Sequence, residues 1–172
     1  MALRVLEWSW NNRDFAPYSN LLTEDFTFQC GALDPSGNAY RDNPWTLDDE
    51  LISLGNLFRS ATSMYLTLDR NFRVVSDPRP GNASKWHKTI RSTFSLSLVA
   101  EGERIDVSGD ALFFLVRGDA ASIPQELRDR GVGPDSTAWY LQRWEDQTLI
   151  APGARTMPSR SATLCLVKAL YR

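Results

Sequence analysis

The sequence is poorest in the residues that most often carry chemistry. Its 172 positions hold one histidine, two cysteines and three methionines. A single histidine, His87, excludes catalysis by a histidine pair and any histidine-rich metal centre. The two cysteines, Cys30 and Cys165, have no zinc-type spacing, so neither a metal nor a cofactor is expected. No charge of one sign dominates, since 19 Lys and Arg face 21 Asp and Glu for a net charge of −2. Composition therefore gives no electrostatic case for nucleic acid or an anionic membrane as partner. Apolar runs such as Ala111 to Val116 are far too short to span a bilayer. The opening Met1-Ala-Leu-Arg-Val-Leu-Glu-Trp carries charge where a secretory leader would be apolar. The chain thus reads as soluble, cytoplasmic if complete and exported if a leader once preceded it. Walker, dinucleotide-binding and serine-elbow motifs are absent. Asn82-Ala83-Ser84 matches the glycosylation triplet, which has meaning only in a secreted eukaryotic protein. With no repeat and no linker, residues 1–172 read as one domain.

What is present is an ordinary globular composition, 42% hydrophobic and 23% charged, arranged as helices followed by strands. Leu3, Leu6 and Trp10 recur at helical spacing over residues 2 to 12. Asp14 can cap a short second helix through Tyr18 and Leu22, with Pro17 tolerated in its first turn. Phe26-Thr27-Phe28 reads as a short strand and 31–44 as a loop. Thr46 opens a third helix with Asp48, Asp49 and Glu50 in its first turn, where the helix dipole favours acids. Leu47, Leu51, Leu54 and Phe58 form its apolar stripe.

Past Ala61 the period changes to alternation. Residues 64–69 and 72–75 read as strands, and 85–100 as the longest one. Trp86, Ile90, Phe94, Leu96 and Leu98 share its apolar face, while His87, Arg91 and Ser95 share the polar one. A four-residue turn at 101–104 predicts a hairpin with Leu98 opposite Val107 and Ile90 opposite Leu115. In that register Lys88 faces Arg117, Phe114 faces Arg91, and Leu112, Phe114 and Val116 form an exposed apolar patch on the outer face. The segment 117–137 is a long excursion with a turn of helix at 125–130. Residues 139–146 form another strand, with Trp139, Leu141 and Arg143 on one face and Tyr140, Gln142 and Trp144 on the other. Its Glu145 and Asp146 fall at a strand end, a poor place to shield an acid–base pair. After a loose stretch at 151–161, the spacing of Leu164, Val167 and Tyr171 favours a helix over an edge strand. Cys30 and Cys165 read as two buried thiols, with a disulfide as the alternative in an oxidising compartment.

This is an α+β layout. The stretches W-N-N-R-D-F-A-P-Y-S-N-L-L-T-E-D-F-T-F (10–28), V-S-G-D-A-L-F-F-L (107–115) and W-Y-L-Q-R-W-E-D (139–146) resemble the nuclear transport factor two-like (cystatin-like) superfamily. That superfamily includes SnoaL-like cyclases, ketosteroid isomerase and scytalone dehydratase. The resemblance implies a cone, in which a curved antiparallel sheet wraps the amino-terminal helices and leaves a pocket at its wide end. It also implies pairing of two copies through the outer sheet face. No catalytic aspartate of the family can be matched here, and the single histidine rules out a histidine pair.

The expected ligand-binding residues are Tyr18, Trp45 and Tyr65 near the helix–sheet junction, with Trp86, Lys88 and Arg117 at the cone's mouth. Cations beside a tryptophan can hold an anionic ligand while the ring packs on it. The competing reading lets both cations reach solvent at the sheet's end. His87, on the polar face, is expected on the surface rather than in a site. The expected function is binding of a small hydrophobic or anionic molecule without a catalytic set. The alternatives are an isomerase, cyclase or dehydratase acting on a small carbonyl compound, and a non-catalytic dimerisation module whose cone is filled by side chains. The expected partners are a small molecule and a second copy of the chain.

Overall fold

A computed structural model of the chain describes residues 2–32, 34–40, 45–148 and 159–172. Its elements in chain order are helices α1 (Ala2–Asn12) and α2 (Phe15–Ser19), strands β1 (Leu22–Gln29) and β2 (Trp45–Thr46), and helix α3 (Leu47–Ser60). Strands β3 (Ala61–Leu68), β4 (Arg73–Val75), β5 (His87–Ala100) and β6 (Glu103–Arg117) follow. Helix α4 (Gln125–Asp129), strands β7 (Trp139–Asp146) and β8 (Ser159–Ser161) and helix α5 (Leu164–Leu170) complete the order. A 3-10 helix at Pro35–Tyr40 lies inside the stretch expected as loop. Of the stretch expected to be loose, 151–161, residues 151–158 lie outside the described residues, and Ser159–Ser161 form a strand paired with β6 instead.

The helix boundaries have local causes. Asp14 accepts from the Ala16 amide at the start of α2. Thr46 and Asp49 form a reciprocal capping box on α3, and Thr163 caps α5 through the Leu166 amide. The strands form one sheet in the order β2-β1-β7-β6-β5-β3, with β4 on β5 and β8 on β6. The pairs are antiparallel except β1 with β7 and β6 with β8. One face carries Phe28, Leu66, Phe94, Leu96, Leu98, Phe113 and Trp144, packed on Leu6 and Trp10 of α1 and Leu54 and Leu57 of α3. This is the concave side of the cone.

Two register expectations are corrected. The β5–β6 turn has two residues, not four. Glu101 at φ 53° and Gly102 at φ 81° give it the doubly left-handed backbone of a type I′ hairpin, and Ala100 pairs with Glu103. Leu98 therefore faces Ile105, Leu96 faces Val107, and Lys88 faces Leu115 rather than Arg117. The shift is two residues, so the buried faces still coincide; hydrophobic matching alone cannot separate registers of equal parity. In β7 the strict alternation fails. A register shift relative to β6, between Leu115↔Leu141 and Phe114↔Arg143, lets Leu141 and Trp144 both turn into the core.

The outer apolar patch is also corrected. Arg91 pairs with Leu112, not Phe114, and the chain itself covers most of the patch. Val116 packs with Ile123, Leu127 and Tyr140 in a second small core built by the 118–138 excursion. Phe114 is 3% exposed, with the guanidinium groups of Arg79 and Arg143 at 4.7 and 5.4 Å from its ring. Arg79 is held by the Asp77 carboxylate and reaches Gln142 on β7. The 76–84 turn thus lies back over the sheet.

Candidate functional site

The concave side holds a charged centre. Glu50, in the first turn of α3, and Lys168, on α5, are fully buried at 0% and 1% exposure. Lys168 Nζ donates to Glu50 Oε1 at 2.5 Å and to Oε2 at 2.7 Å. The Tyr18 hydroxyl donates to Oε1 at 2.5 Å and the Trp45 indole nitrogen to Oε2 at 3.0 Å. Each carboxylate oxygen therefore has two donors. Around the ammonium stand the rings of Phe28 at 3.9 Å and Trp144 at 4.5 Å, which favour a desolvated cation. Burial pushes the Lys168 ammonium below its ordinary value, against the pull of Glu50. Burial, with the charge of Glu50, raises the Tyr18 phenol well above its usual range, so that hydroxyl remains a donor.

The helix that brings Lys168 is fixed from several directions. Ser53 donates to the Lys168 carbonyl at 2.7 Å and Asn56 to the Tyr171 carbonyl at 2.8 Å. Arg172 pairs with Asp49. Cys165, in the first turn of α5, forms a disulfide with Cys30 just after β1. This corrects the expectation of two buried thiols. The Cα atoms lie 5.6 Å apart across 135 positions of chain, a proximity that only the folded sheet creates. A cross-link of that kind commonly contributes about 2–5 kcal/mol.

Beside this centre sits Asp146, also contrary to the expectation that a strand end would expose it. It is 1% exposed. Its Oδ1 accepts from the Thr148 amide and hydroxyl, and its Oδ2 from the Cys165 amide. Burial raises its pKa above the ordinary 3.8, although those donors and Lys168 oppose the rise.

Outside this buried centre, at the ends of β1 and β7, opens a cleft of about 800 Å³ lined by Gln29, Cys30, Gly31, Arg91, Asp110, Arg143, Glu145 and Asp146 among others. Arg91 pairs with Asp110 at 2.6 Å and Arg143 with Glu145 at 2.6 Å; Arg143 also donates to Gln29. These are partly exposed pairs, of a kind typically worth about 0.2–1 kcal/mol.

Of the expected binding residues, Tyr18 and Trp45 come together as donors to Glu50. Trp86 and Arg117 come together elsewhere, at the far end of the sheet. There Arg117 and Lys85 approach the Trp86 ring at 5.0 and 4.5 Å, and Asp119 pairs with Arg117. Lys88 lies instead over Trp139, 5.0 Å from its ring. Tyr65 is 66% exposed on β3. His87 pairs with Val116 on the outer face.

Sequence reasoning missed Glu50, Lys168 and Asp146. Glu50 passed for a first-turn acid, yet its spacing to Leu54 and Leu57 puts it on the buried face of α3. Lys168 stands four positions after Leu164, one turn along the buried face of α5. A lone charge of each sign on two apolar helix faces was the available signal.

No protein-family model matches the sequence, and no curated protein matches it. Solved structures do. A nuclear transport factor 2-like superfamily protein from Salmonella enterica is 11% identical, with 91% of this chain and 92% of that one covered at a TM-score of 0.58. A candidate scytalone dehydratase from Novosphingobium aromaticivorans is 12% identical, with 91% of each chain covered and a TM-score of 0.59. LinA is 10% identical, with 91% and 88% covered and a TM-score of 0.55. Identities this low speak for shape alone. With its curved, mostly antiparallel sheet over amino-terminal helices, the chain has the nuclear transport factor 2-like fold.

Proposed function

We propose that this domain binds a small anionic molecule in the cleft at the ends of β1 and β7, and that the cone's interior is structural rather than catalytic. The observation that carries this reading is the saturation of Glu50 by Lys168, Tyr18 and Trp45. A general base must present a free lone pair to a bound substrate. Glu50 has neither a free position nor an open path, because α5 lies over it and is stapled to β1. The cleft outside does offer usable groups. The ion pairs of Arg91 with Asp110 and of Arg143 with Glu145 are weak and partly exposed, and a ligand carboxylate or phosphate can replace them bidentately. The disulfide supports an oxidising compartment as the protein's setting.

Calorimetric titration against a panel of small carboxylates and phosphates tests the site. Saturable binding is expected, weakened at least about tenfold by Arg143→Ala and by Arg91→Ala, since each removes a charge-assisted contact. Absence of saturable binding, or wild-type affinity in both variants, overturns it.

Asp146 favours a second reading, that of an isomerase, cyclase or dehydratase acting on a small carbonyl compound. Its carboxyl borders the cleft and burial raises it toward the range useful for proton transfer. One of the similar structures is a candidate scytalone dehydratase. Turnover of such a compound, abolished by Asp146→Asn in a folded protein, would replace binding alone with catalysis.

A further inference from the structure

A second depression lies on the opposite side of α3, independent of the cleft. It holds about 470 Å³ between α2 and α3. Phe15 and Ile52 are 39% and 55% exposed there, large apolar side chains left open to water. The floor is Gly55, where a Cβ would stand 3.6 Å from the Phe15 ring; the absent side chain keeps the groove open. Its two cations are Arg13 and Arg59. Arg59 lies two turns beyond Ile52 on the same helix face, roughly 10 Å along the axis. Arg13 reaches the same end of α3, donating to the carbonyls of Ala61 and Thr62. Arg59 donates to Asn56 at 2.5 Å. Among the described residues, neither guanidinium forms an ion pair with a carboxylate, whereas Arg79, Arg91, Arg104, Arg117, Arg128 and Arg143 all do.

A groove apolar at one end and doubly cationic at the other matches one kind of ligand. We infer that it binds an amphipathic monocarboxylate, an unbranched fatty acid of medium chain length. The acyl chain lies over Gly55 between Phe15 and Ile52, and the carboxylate meets Arg59 and Arg13. Apolar contact supplies affinity in proportion to the area covered. The arginines supply the choice of an anion over an alcohol or amine of equal length.

Decanoate, decanol and decylamine, titrated below the concentrations at which they self-associate, make the test. The wild-type protein is expected to bind decanoate saturably, decanol at least about tenfold more weakly and decylamine not at all. Arg59→Ala should bring decanoate down to the level of decanol, and Ile52→Asp should remove both. Both positions are exposed, so native melting curves are expected. Gly55→Leu fills the floor and should abolish binding while leaving the arginines in place. Equal affinity for decanol and decanoate, no saturable binding, or undiminished binding in Arg59→Ala and Gly55→Leu overturns the inference.

Discussion

Lys168 Nζ sits 2.5 and 2.7 Å from the two carboxylate oxygens of Glu50, and the two residues come from opposite thirds of the chain. The pair occupies the space that the fold encloses between helix and sheet. Its energetic character is that of a buried ion pair, in which desolvation roughly cancels attraction when both partners are present. Removing one partner is a different matter, because the other charge is left in an apolar cage.

The single variants Lys168→Met and Glu50→Gln are therefore expected to lose about 3–5 kcal/mol each, while the double variant loses far less than their sum. Urea denaturation of the four proteins gives the coupling energy directly. Additive losses would mean that the pair does not act as a unit. Retention of ligand binding by a folded double variant would also separate the interior from the outer cleft.

The general plan of this fold is legible in the pattern of apolar residues, and its charged interior is not. The helix at 46–60, the long β5 alternation and the helical ending at 164–170 each follow from spacing within one segment. Register needed more than spacing. Leu98 opposite Val107 and Leu98 opposite Ile105 bury the same faces, and only the backbone of Glu101-Gly102 distinguishes them. The failure at Trp144 has a related cause, since one bulge residue in β7 turned an alternating pattern over. Glu50, Lys168, Asp146 and the Cys30–Cys165 bridge escaped because each takes its meaning from a partner far away in sequence. A charge on an apolar helix face marks an anomaly, but the residue that neutralises it is a property of the tertiary fold.

Asp146 should leave a signature in the pH dependence of stability. Burial raises its folded value above the 3.8 of an ordinary aspartate. A carboxyl that holds its proton more tightly when folded contributes stability that is fully present below the unfolded value and is lost as pH rises through the folded one. Acidification from neutrality toward about pH 4 should therefore stabilise the wild-type protein relative to Asp146→Asn, which cannot titrate. Asp77 acts in the opposite sense. Burial alone would raise it, but its hydrogen bonds from Arg79 and Asn82 prevail and lower it, so its contribution is lost only below 3.8. Denaturant midpoints collected on both proteins across this range decide the matter. A wild-type advantage that shrinks on acidification would show that Asp146 is not held in a desolvating site.

The β5–β6 turn is the remaining test, and it concerns the register on which the whole sheet depends. Gly102 at φ 81° occupies backbone space that a side chain strains, so Gly102→Ala is expected to cost about 1 kcal/mol or more. Glu101 holds a left-handed φ of 53° without being glycine, a conformation that asparagine adopts far more readily. Glu101→Asn, which makes the Asn-Gly pair preferred in type I′ turns, should instead stabilise the protein by a few tenths to about 1 kcal/mol. The two changes are neighbours on the surface and bury nothing, so opposite signs in urea denaturation isolate the backbone effect. A four-residue turn would not place both positions in left-handed conformations. Gly102→Ala would then be nearly neutral and Glu101→Asn without benefit, and the pairing of Ala100 with Glu103 would have to be abandoned.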